Sequence, residues 1–419
     1  MAFFSRNFVL LWQGQLVSQL GNQAFLIATA LFTIEATGSA VLVAAVMMAS
    51  TLPLVIVGPI GGTMADRHSR RNLLVLTDLA RAFTVGGLGL FLLWRPEAAP
   101  SHVALIIAVA AFGGAMGSVF SPAVQALIPE LVPHDRLAAA NSLNQISIQT
   151  SVLAGQALGG VLYVAWGAPV LLLLDAASFA YGAAATWLIP PDAAPHVAAA
   201  GIREAMSQYV VQTREGIVYV WRRSGMVAVL GTFAGVNFLF MPVVVLLPLY
   251  VRDALKAGPE WYGFLLAGSG AGALAGAAVA GALFSRVRAA ALLVTGCVAG
   301  IGMSVLLLAA ARRPEAALAS FVAIGALSSA INVGILTTFQ ARLPSYVRGR
   351  VMALVIVLST AAAPLGMAAG GVMGDLWRES LPAVFAGCGA AIVLLAVAAS
   401  RVSGFSELLE RQRSAESVP

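Results

Sequence analysis

Asp78 and Arg81 stand three residues apart in the run Leu76-Thr77-Asp78-Leu79-Ala80-Arg81-Ala82-Phe83. On a helix that spacing puts a carboxylate and a guanidinium on one face. Asp175 follows the four leucines Leu171–Leu174 and has no charged neighbour in sequence, and Glu35 closes another apolar stretch. A charge at the middle of a bilayer costs at least ~2.5 kcal/mol, so each of these groups needs a reason to be there. Asp78, Arg81, Asp175 and Glu35 are therefore candidates for proton coupling. The plainer readings are a structural ion pair for Asp78 with Arg81, a hydrogen-bonded packing group for Asp175, and a hydrated helix end for Glu35. Amides form a second set. Gln15, Gln19 and Asn22 fall at i, i+4 and i+7 with Ser18 beside them, and Asn141, Gln145, Gln149 and Gln156 form a similar stripe further on. Amides facing hydrocarbon would go unsatisfied, so both stripes turn inward, to bond neighbouring helices or to line a cavity. Asn237 and Asn332 join the first set as single amides in apolar runs.

Other chemistries find no support. His68, His102, His134 and His196 fall in or beside loops, and the apolar runs hold no Ser-His arrangement or metal-ligand cluster. Lys256 is the only lysine and is followed by Ala257, so no phosphate-binding P-loop is present. Cys297 and Cys388 lie in apolar runs and read as small buried hydrophobes. The reading is no enzyme, no cofactor and no metal.

The surrounding elements explain this economy of polar groups. Of 419 residues, 60% are hydrophobic and 10% charged, against roughly 25% charged in an ordinary soluble domain. Runs of about 20 apolar residues, the length of a spanning helix, occur near 9–34, 40–63, 72–94, 102–124, 138–163, 168–189, 226–250, 262–284, 289–311, 315–340, 350–374 and 381–402. The expected fold is an all-α membrane protein of twelve transmembrane helices. Residues 1–189 form one six-helix bundle and 225–402 a second, joined by a cytoplasmic linker at 190–224 and followed by a cytoplasmic tail at 403–419. The linker holds Arg203, Glu204, Arg214, Glu215, Arg222 and Arg223, and its second half could form an amphipathic surface helix.

Basic residues orient the bundle. With the N-terminus inside, the inner loops and ends collect Arg6, Arg67, Arg70, Arg71, Arg136, Arg286, Arg288, Arg342, Arg348, Arg350, Arg401, Arg411, Arg413 and the linker arginines. The outer side has Arg95, Arg252, Lys256, Arg312, Arg313 and Arg378. That bias places both termini in the cytoplasm. It also accounts for the net charge of +6 without nucleic acid. Ala28-Thr29-Ala30 resembles a signal cleavage site, but the run is long and contains Gln13, Gln15, Gln19, Asn22 and Gln23, so it reads as the first span.

The halves echo one another. Gln125-Ala126-Leu127-Ile128-Pro129 after the fourth span matches Gln340-Ala341-Arg342-Leu343-Pro344 after the tenth. The end of the second, Gly61 to Arg67, has a counterpart in Gly281 to Arg286. Two six-helix pseudo-repeats describe a carrier whose halves rock about a midplane site. Gly62-Thr63-Met64-Ala65-Asp66-Arg67-His68-Ser69-Arg70-Arg71 resembles the signature loop of the major facilitator superfamily, with Met64 for Leu and Ser69 for Gly. Asn7 to Ser18, Thr37-Gly38-Ser39, Asp175-Ala176-Ala177-Ser178-Phe179 and Pro129 to Ser142 narrow the resemblance to the bacterial branch of macrolide-efflux and enterobactin-exporter proteins. The resemblance implies the major facilitator fold in a bacterial inner membrane. It further implies alternating access and proton-coupled export of small molecules of the drug or siderophore class, through a cavity lined by helices one, four, seven and ten; neutral amides, apolar walls and few fixed charges make the expected substrate amphiphilic. It makes Gly62, Asp66, Arg67, Arg70 and Arg71 a gating loop, with Asp66 capping helix eleven and Arg70 and Arg71 holding it and touching lipid phosphates. Two departures bear on coupling: the fourth span lacks an arginine, and Gly155-Gln156 stands where Gly-Pro is common. The partners expected are a small-molecule substrate, protons and membrane lipids, with the chain a monomer. A lipid or lysolipid transporter, an uptake permease and a membrane sensor without transport are the alternatives.

Overall fold

The computed structural model describes residues 4–95, 99–191, 224–286, 290–342 and 345–402, with isolated positions between 207 and 221. The expected surface helix in the linker falls largely outside them. The described residues are almost entirely helical. The first four helices are α1 (Arg6–Thr37), α2 (Ala40–Arg67), α3 (Arg70–Trp94) and α4 (Pro100–Leu131). A helical stretch Leu137–Trp187 follows, broken at Gly167, where φ is 73° and ψ 175°. A positive φ of this kind suits glycine, which has no Cβ to clash. At 51 residues an unbroken helix would be about 77 Å long, far beyond a hydrocarbon core of ~30 Å. The break divides it into α5 (137–166) and α6 (168–187). Then come α7 (Ser224–Leu249), a π turn at Tyr250–Ala254, α8 (Glu260–Arg286), α9 (Ala290–Ala310), α10 (Pro314–Arg342), α11 (Ser345–Leu376) and α12 (Leu381–Ser400). By length and composition, 10 helical segments among the described residues can cross a membrane, with the stretch through Gly167 counted once.

Short polar motifs set the helix ends. Gly38, at φ 63°, ends α1 by donating its N–H to the Ile34 carbonyl, and the Ser39 hydroxyl then accepts from Leu42 N–H to open α2. This is the physical content of Thr37-Gly38-Ser39: a left-handed stop followed at once by an N-cap. Ser69 accepts from Asn72 N–H and caps α3, so the serine found in place of the expected glycine supplies a start signal. Ser5 caps α1 through Phe8 N–H and donates its hydroxyl to the Leu131 carbonyl at 2.8 Å, fixing the start of α1 to the end of α4.

The chain divides into two compact units, Met1–Tyr209 with Ala257–Ala267, and Val210–Lys256 with Gly268–Pro419. In unit 1, α1 packs on the α5–α6 stretch, α2 on α4, and α3 on α4 and α6. In unit 2, α7 packs on α11, α9 on α12 and α10, and α8 on α10. Glycine permits the close crossings. A Cβ on Gly61 would strike the Ser118 carbonyl, and one on Gly272 the Val322 carbonyl. With lipid tails as apolar as leucine, such backbone proximity supplies the dispersion contact that holds helices together. Apolar filling completes one end of unit 1, where Phe8 and Leu11 of α1 meet Leu74 of α3 and Ala123 and Leu127 of α4.

Gly113 and Gly114 in α4 test this packing. A Cβ at Gly114 would strike the Ser50 carbonyl of α2, whereas Gly113 has open space around that position. Gly114→Ala is expected to destabilise the purified protein by ~1–3 kcal/mol, the usual cost of overpacking, and to lower its Tm. Gly113→Ala should leave the Tm unchanged or raised. Equal responses would show that the α2–α4 crossing is not set by backbone contact.

Candidate functional site

Unit 1 gathers Asp78, Arg81 and Asp175, three of the four charges of its apolar runs, into one buried cluster. Asp78 of α3 is 1% exposed and Asp175 of α6 0%. Ser18 of α1 donates its hydroxyl to the Ser178 carbonyl at 3.1 Å. The Ser178 hydroxyl bonds the Asp175 carbonyl at 2.7 Å and lies 3.4 Å from Asp175 Oδ1. Two glycines make room. A Cβ on Gly21 would come within 2.5 Å of Asp175 Oδ1, and one on Gly182 within 2.6 Å of Ser18 Oγ and 3.0 Å of Asp78 Oδ2. Asp78 Oδ1, Asp175 Oδ2 and Arg81 Nε are buried without a hydrogen-bond partner among the described residues.

Arg81 shares a helix with Asp78 but finds different neighbours. Its guanidinium carbon lies 5.2 Å from the centroid of Phe120 in α4 and 5.3 Å from that of Phe179 in α6, and a terminal nitrogen would be 2.9 Å from a Cβ on Gly117. Ion pairs within 4.0 Å among the described residues include Arg70 with Glu130, Arg136 with Asp135, and Asp253 with Arg252 and Arg378. Among the described residues no ion pair within 4.0 Å joins Arg81 to Asp78 or Asp175; the guanidinium also faces two aromatic rings, each attracting the cation through its quadrupole. Glu35 is exposed at its end of α1 and accepts a hydrogen bond from the Tyr163 hydroxyl of α5 at 2.6 Å.

The amide stripe of α1 grades from inside to outside. Gln15 is buried, Gln19 half-buried and Asn22 exposed. On α5, Asn141, Gln145 and Gln149 are exposed, while Gln156 donates to Gln23 of α1 at 3.2 Å. In unit 2 the structure brings Asn237 of α7 and Asn332 of α10 to one cavity of about 110 Å³, with Thr232, Phe240 and Ser328 among its walls. Asn237 donates to the Phe233 carbonyl at 3.0 Å, which leaves its side-chain oxygen available to accept.

At the other end of unit 1, Asp66 and Arg67 are exposed on the last turn of α2, and Gly62 is partly buried. Arg70 donates to the Ala126 carbonyl at 3.1 Å and pairs with Glu130 of α4. Arg71 donates to the Trp187 carbonyl and lies 6.0 Å from the centre of the Trp187 ring. The arginines expected to hold Asp66 instead tie the start of α3 to the ends of α4 and α6. Sequence reading missed Glu130 and Trp187 as their partners. The signal available was Glu130 directly after the quoted Pro129. Phe120, Gly21, Gly117 and Gly182 were missed as well, because only the three-dimensional crossing distinguishes them from other apolar or small residues.

Long apolar helices, with a charged cluster inside one unit and a basic loop at its end, describe a multi-pass membrane protein. A family model described as transmembrane secretion effector matches residues 2–416, and the chain belongs to that family of major facilitator proteins. It is 26% identical to the uncharacterized MFS-type transporter YfiS of Bacillus subtilis (strain 168), over 91% of this chain and 90% of the relative. To macrolide efflux protein A of Streptococcus pyogenes it is 24% identical, over 88% and 89%. To the multidrug efflux pump Tap of Mycolicibacterium fortuitum it is 27% identical, over 94% and 95%. A bacterial homologue of the iron transporter ferroportin in an inward-facing state shares the fold at a TM-score of 0.72 and 15% identity, covering 97% of this chain and 99% of that one. The chain is a multi-pass membrane transporter and not an enzyme.

The graded exposure of α1 gives a second test. With cysteine introduced singly, Asn22→Cys is expected to react with a small hydrophilic thiol reagent fastest, Gln19→Cys more slowly and Gln15→Cys least. Labelling rates measured by mass shift check the order. Equal rapid labelling at Gln15 and Asn22 would mean that the whole stripe faces water.

Proposed function

We propose that this protein is a secondary active exporter of small amphiphilic molecules, of the drug or siderophore class, that works by alternating access and is driven by protons. The observation that carries the coupling reading is the cluster of Asp78, Asp175 and Arg81. Two carboxyls are fully buried in unit 1, each with an oxygen that no described residue satisfies, and a guanidinium lies between two rings. A carboxyl so placed can take up a proton and give it back, whereas a structural ion pair would have closed on its partner. Asp78 and Asp175 are the proton carriers in this reading, and Arg81 is the fixed counter-charge. The efflux reading is supported by relatives named for macrolide and multidrug efflux. The amphiphilic substrate is supported by the unit 2 cavity, in which neutral amides stand among apolar walls.

The same proposal sets twelve spans in two six-helix repeats, 1–189 and 225–402, in the bacterial inner membrane, with both termini cytoplasmic and the chain acting as a monomer. The basic bias of the inner loops supports this orientation. The repeat is supported by parallel packing schemes: α7 meets α11 as α1 meets α5, α9 meets α12 as α3 meets α6, and α8 meets α10 as α2 meets α4.

Everted vesicles with an acidic lumen test the function. Vesicles carrying the wild-type chain are expected to accumulate a radiolabelled macrolide until the gradient is collapsed. Asp78→Asn and Asp175→Asn should each reduce accumulation to the level without a gradient while leaving macrolide binding to the purified protein intact. Proton-driven accumulation that survives in both variants would remove these residues from coupling.

A further inference from the structure

In unit 2, at the end where α9 stops and α10 begins, a groove of about 640 Å³ runs between the two helices. Its α10 wall is built from Ala316, Ala319 and Ala323, spaced three and four residues apart and so on one face. Its α9 wall includes Leu307 and Ala310. Alanine at each of these α10 positions leaves a channel where larger side chains would close the surface. The spacing from Ala316 to Ala323 makes the channel about 10 Å long, about a third of the hydrocarbon depth. The hydroxyls on its walls are already satisfied within their own helices, Ser304 on the Gly300 carbonyl at 2.8 Å and Ser320 on the Ala316 carbonyl at 3.2 Å. The groove therefore presents an apolar interior.

Its mouth is different. Arg312 and Arg313 form the turn between the helices, line the groove and are exposed. Among the described residues neither has a carboxylate within 4.0 Å. The nearby Asp253 is already held by Arg252 at 2.6 Å and by Arg378 at 3.7 Å. Glu315, exposed on the first turn of α10, offsets one of the two charges; with Glu379 in the adjoining pocket, Arg252, Arg312, Arg313 and Arg378 still outnumber Asp253, Glu315 and Glu379, so the mouth keeps a net positive charge. The start of α10 adds the positive end of a helix dipole.

We propose that this groove is a binding site for one anionic phospholipid, its phosphate held by Arg312 and Arg313 and an acyl chain laid along Ala316, Ala319 and Ala323. Apolar channel and cationic mouth are continuous and follow the order of a lipid from tail to headgroup. A soluble anion would use only the mouth, and a zwitterionic lipid would bring its own ammonium against the arginines. An arginine near an anionic membrane surface is worth about 1 kcal/mol, or roughly fivefold in affinity. With Glu315 offsetting one of the two charges, the mouth should favour an anionic over a zwitterionic lipid by about fivefold.

Native mass spectrometry of the full chain, exchanged into micelles doped with equal amounts of phosphatidylglycerol and phosphatidylcholine, tests this. The expected result is retention of one phosphatidylglycerol in preference to phosphatidylcholine. The double substitution R312Q/R313Q should abolish this roughly fivefold preference, and Ala319→Leu, which fills the channel but keeps both charges, should weaken retention. Arg136→Gln, which alters an arginine paired to Asp135 in unit 1, should leave the preference unchanged. Equal retention of the two lipids, a preference that survives R312Q/R313Q, or one lost equally in Arg136→Gln would overturn the site. Full displacement of phosphatidylglycerol by inorganic phosphate, with no response to Ala319→Leu, would also overturn it and leave an anion site at the turn alone.

Discussion

Hydrocarbon offers no hydrogen bonds, and this single constraint organises the molecule. The backbone answers it by folding into helices, and many polar side chains answer it by bonding backbone carbonyls. Thr29, Thr33 and Thr37 of α1 return their hydroxyls to carbonyls four residues back. Tyr250 donates to the Leu308 carbonyl at the end of α9 at 2.5 Å. Beside Arg70 Nε, Arg71 Nε and His102 Nδ1, the buried atoms without such an answer among the described residues belong to the two carboxyls and the guanidinium of the unit 1 cluster. Their presence fixes what surrounds them: serines at Ser18 and Ser178, rings at Phe120 and Phe179, and bare backbone at Gly21, Gly117 and Gly182. A side chain added at any of the three glycines would press on a charged or hydrogen-bonding atom of the cluster.

The same cluster links α1, α3, α4 and α6, and the loop at the end of the unit links three of those helices again. Arg70 and Arg71 grip carbonyls and side chains at the ends of α4 and α6, while Ser5 binds α1 to the last residue of α4. A change of charge inside the cluster would therefore act on helices already joined at one end, and movement would be favoured at the opposite end. In the proposed mechanism this is how a proton taken up by Asp78 or Asp175 would bias a conformational equilibrium, since only an interaction that differs between two states can shift their populations.

Much of this was legible in the chain because bilayers make strong demands on composition. Apolar length located the helices, Thr37-Gly38-Ser39 marked a helix stop and start, and a polar residue in an apolar run marked Asp78, Asp175 and the α1 amides. Depth was not legible. Gln15 and Asn22 share a helical face by spacing, yet one is buried and the other exposed, because neighbouring helices cover only part of that face. Partners were not legible either. Arg81 looked to Asp78 along its own helix, but Phe120 and Phe179 come from helices far away in sequence. Arg70 and Arg71 looked to Asp66, yet α4 and the end of α6 present carbonyls and a carboxylate within reach. Spacing along one helix gives direction, and the choice of partner belongs to the packing.

The central proposal is that the buried carboxyls of unit 1 carry the protons exchanged for substrate. The most direct measurement is proton release when a macrolide is added to the purified protein in lightly buffered detergent solution, followed with a pH indicator. The account predicts that binding expels protons from the wild-type chain and that the release disappears when Asp78 and Asp175 are both replaced by Asn, with binding retained. Macrolide binding without proton release in the wild type, or release that persists undiminished in the double variant, would contradict it.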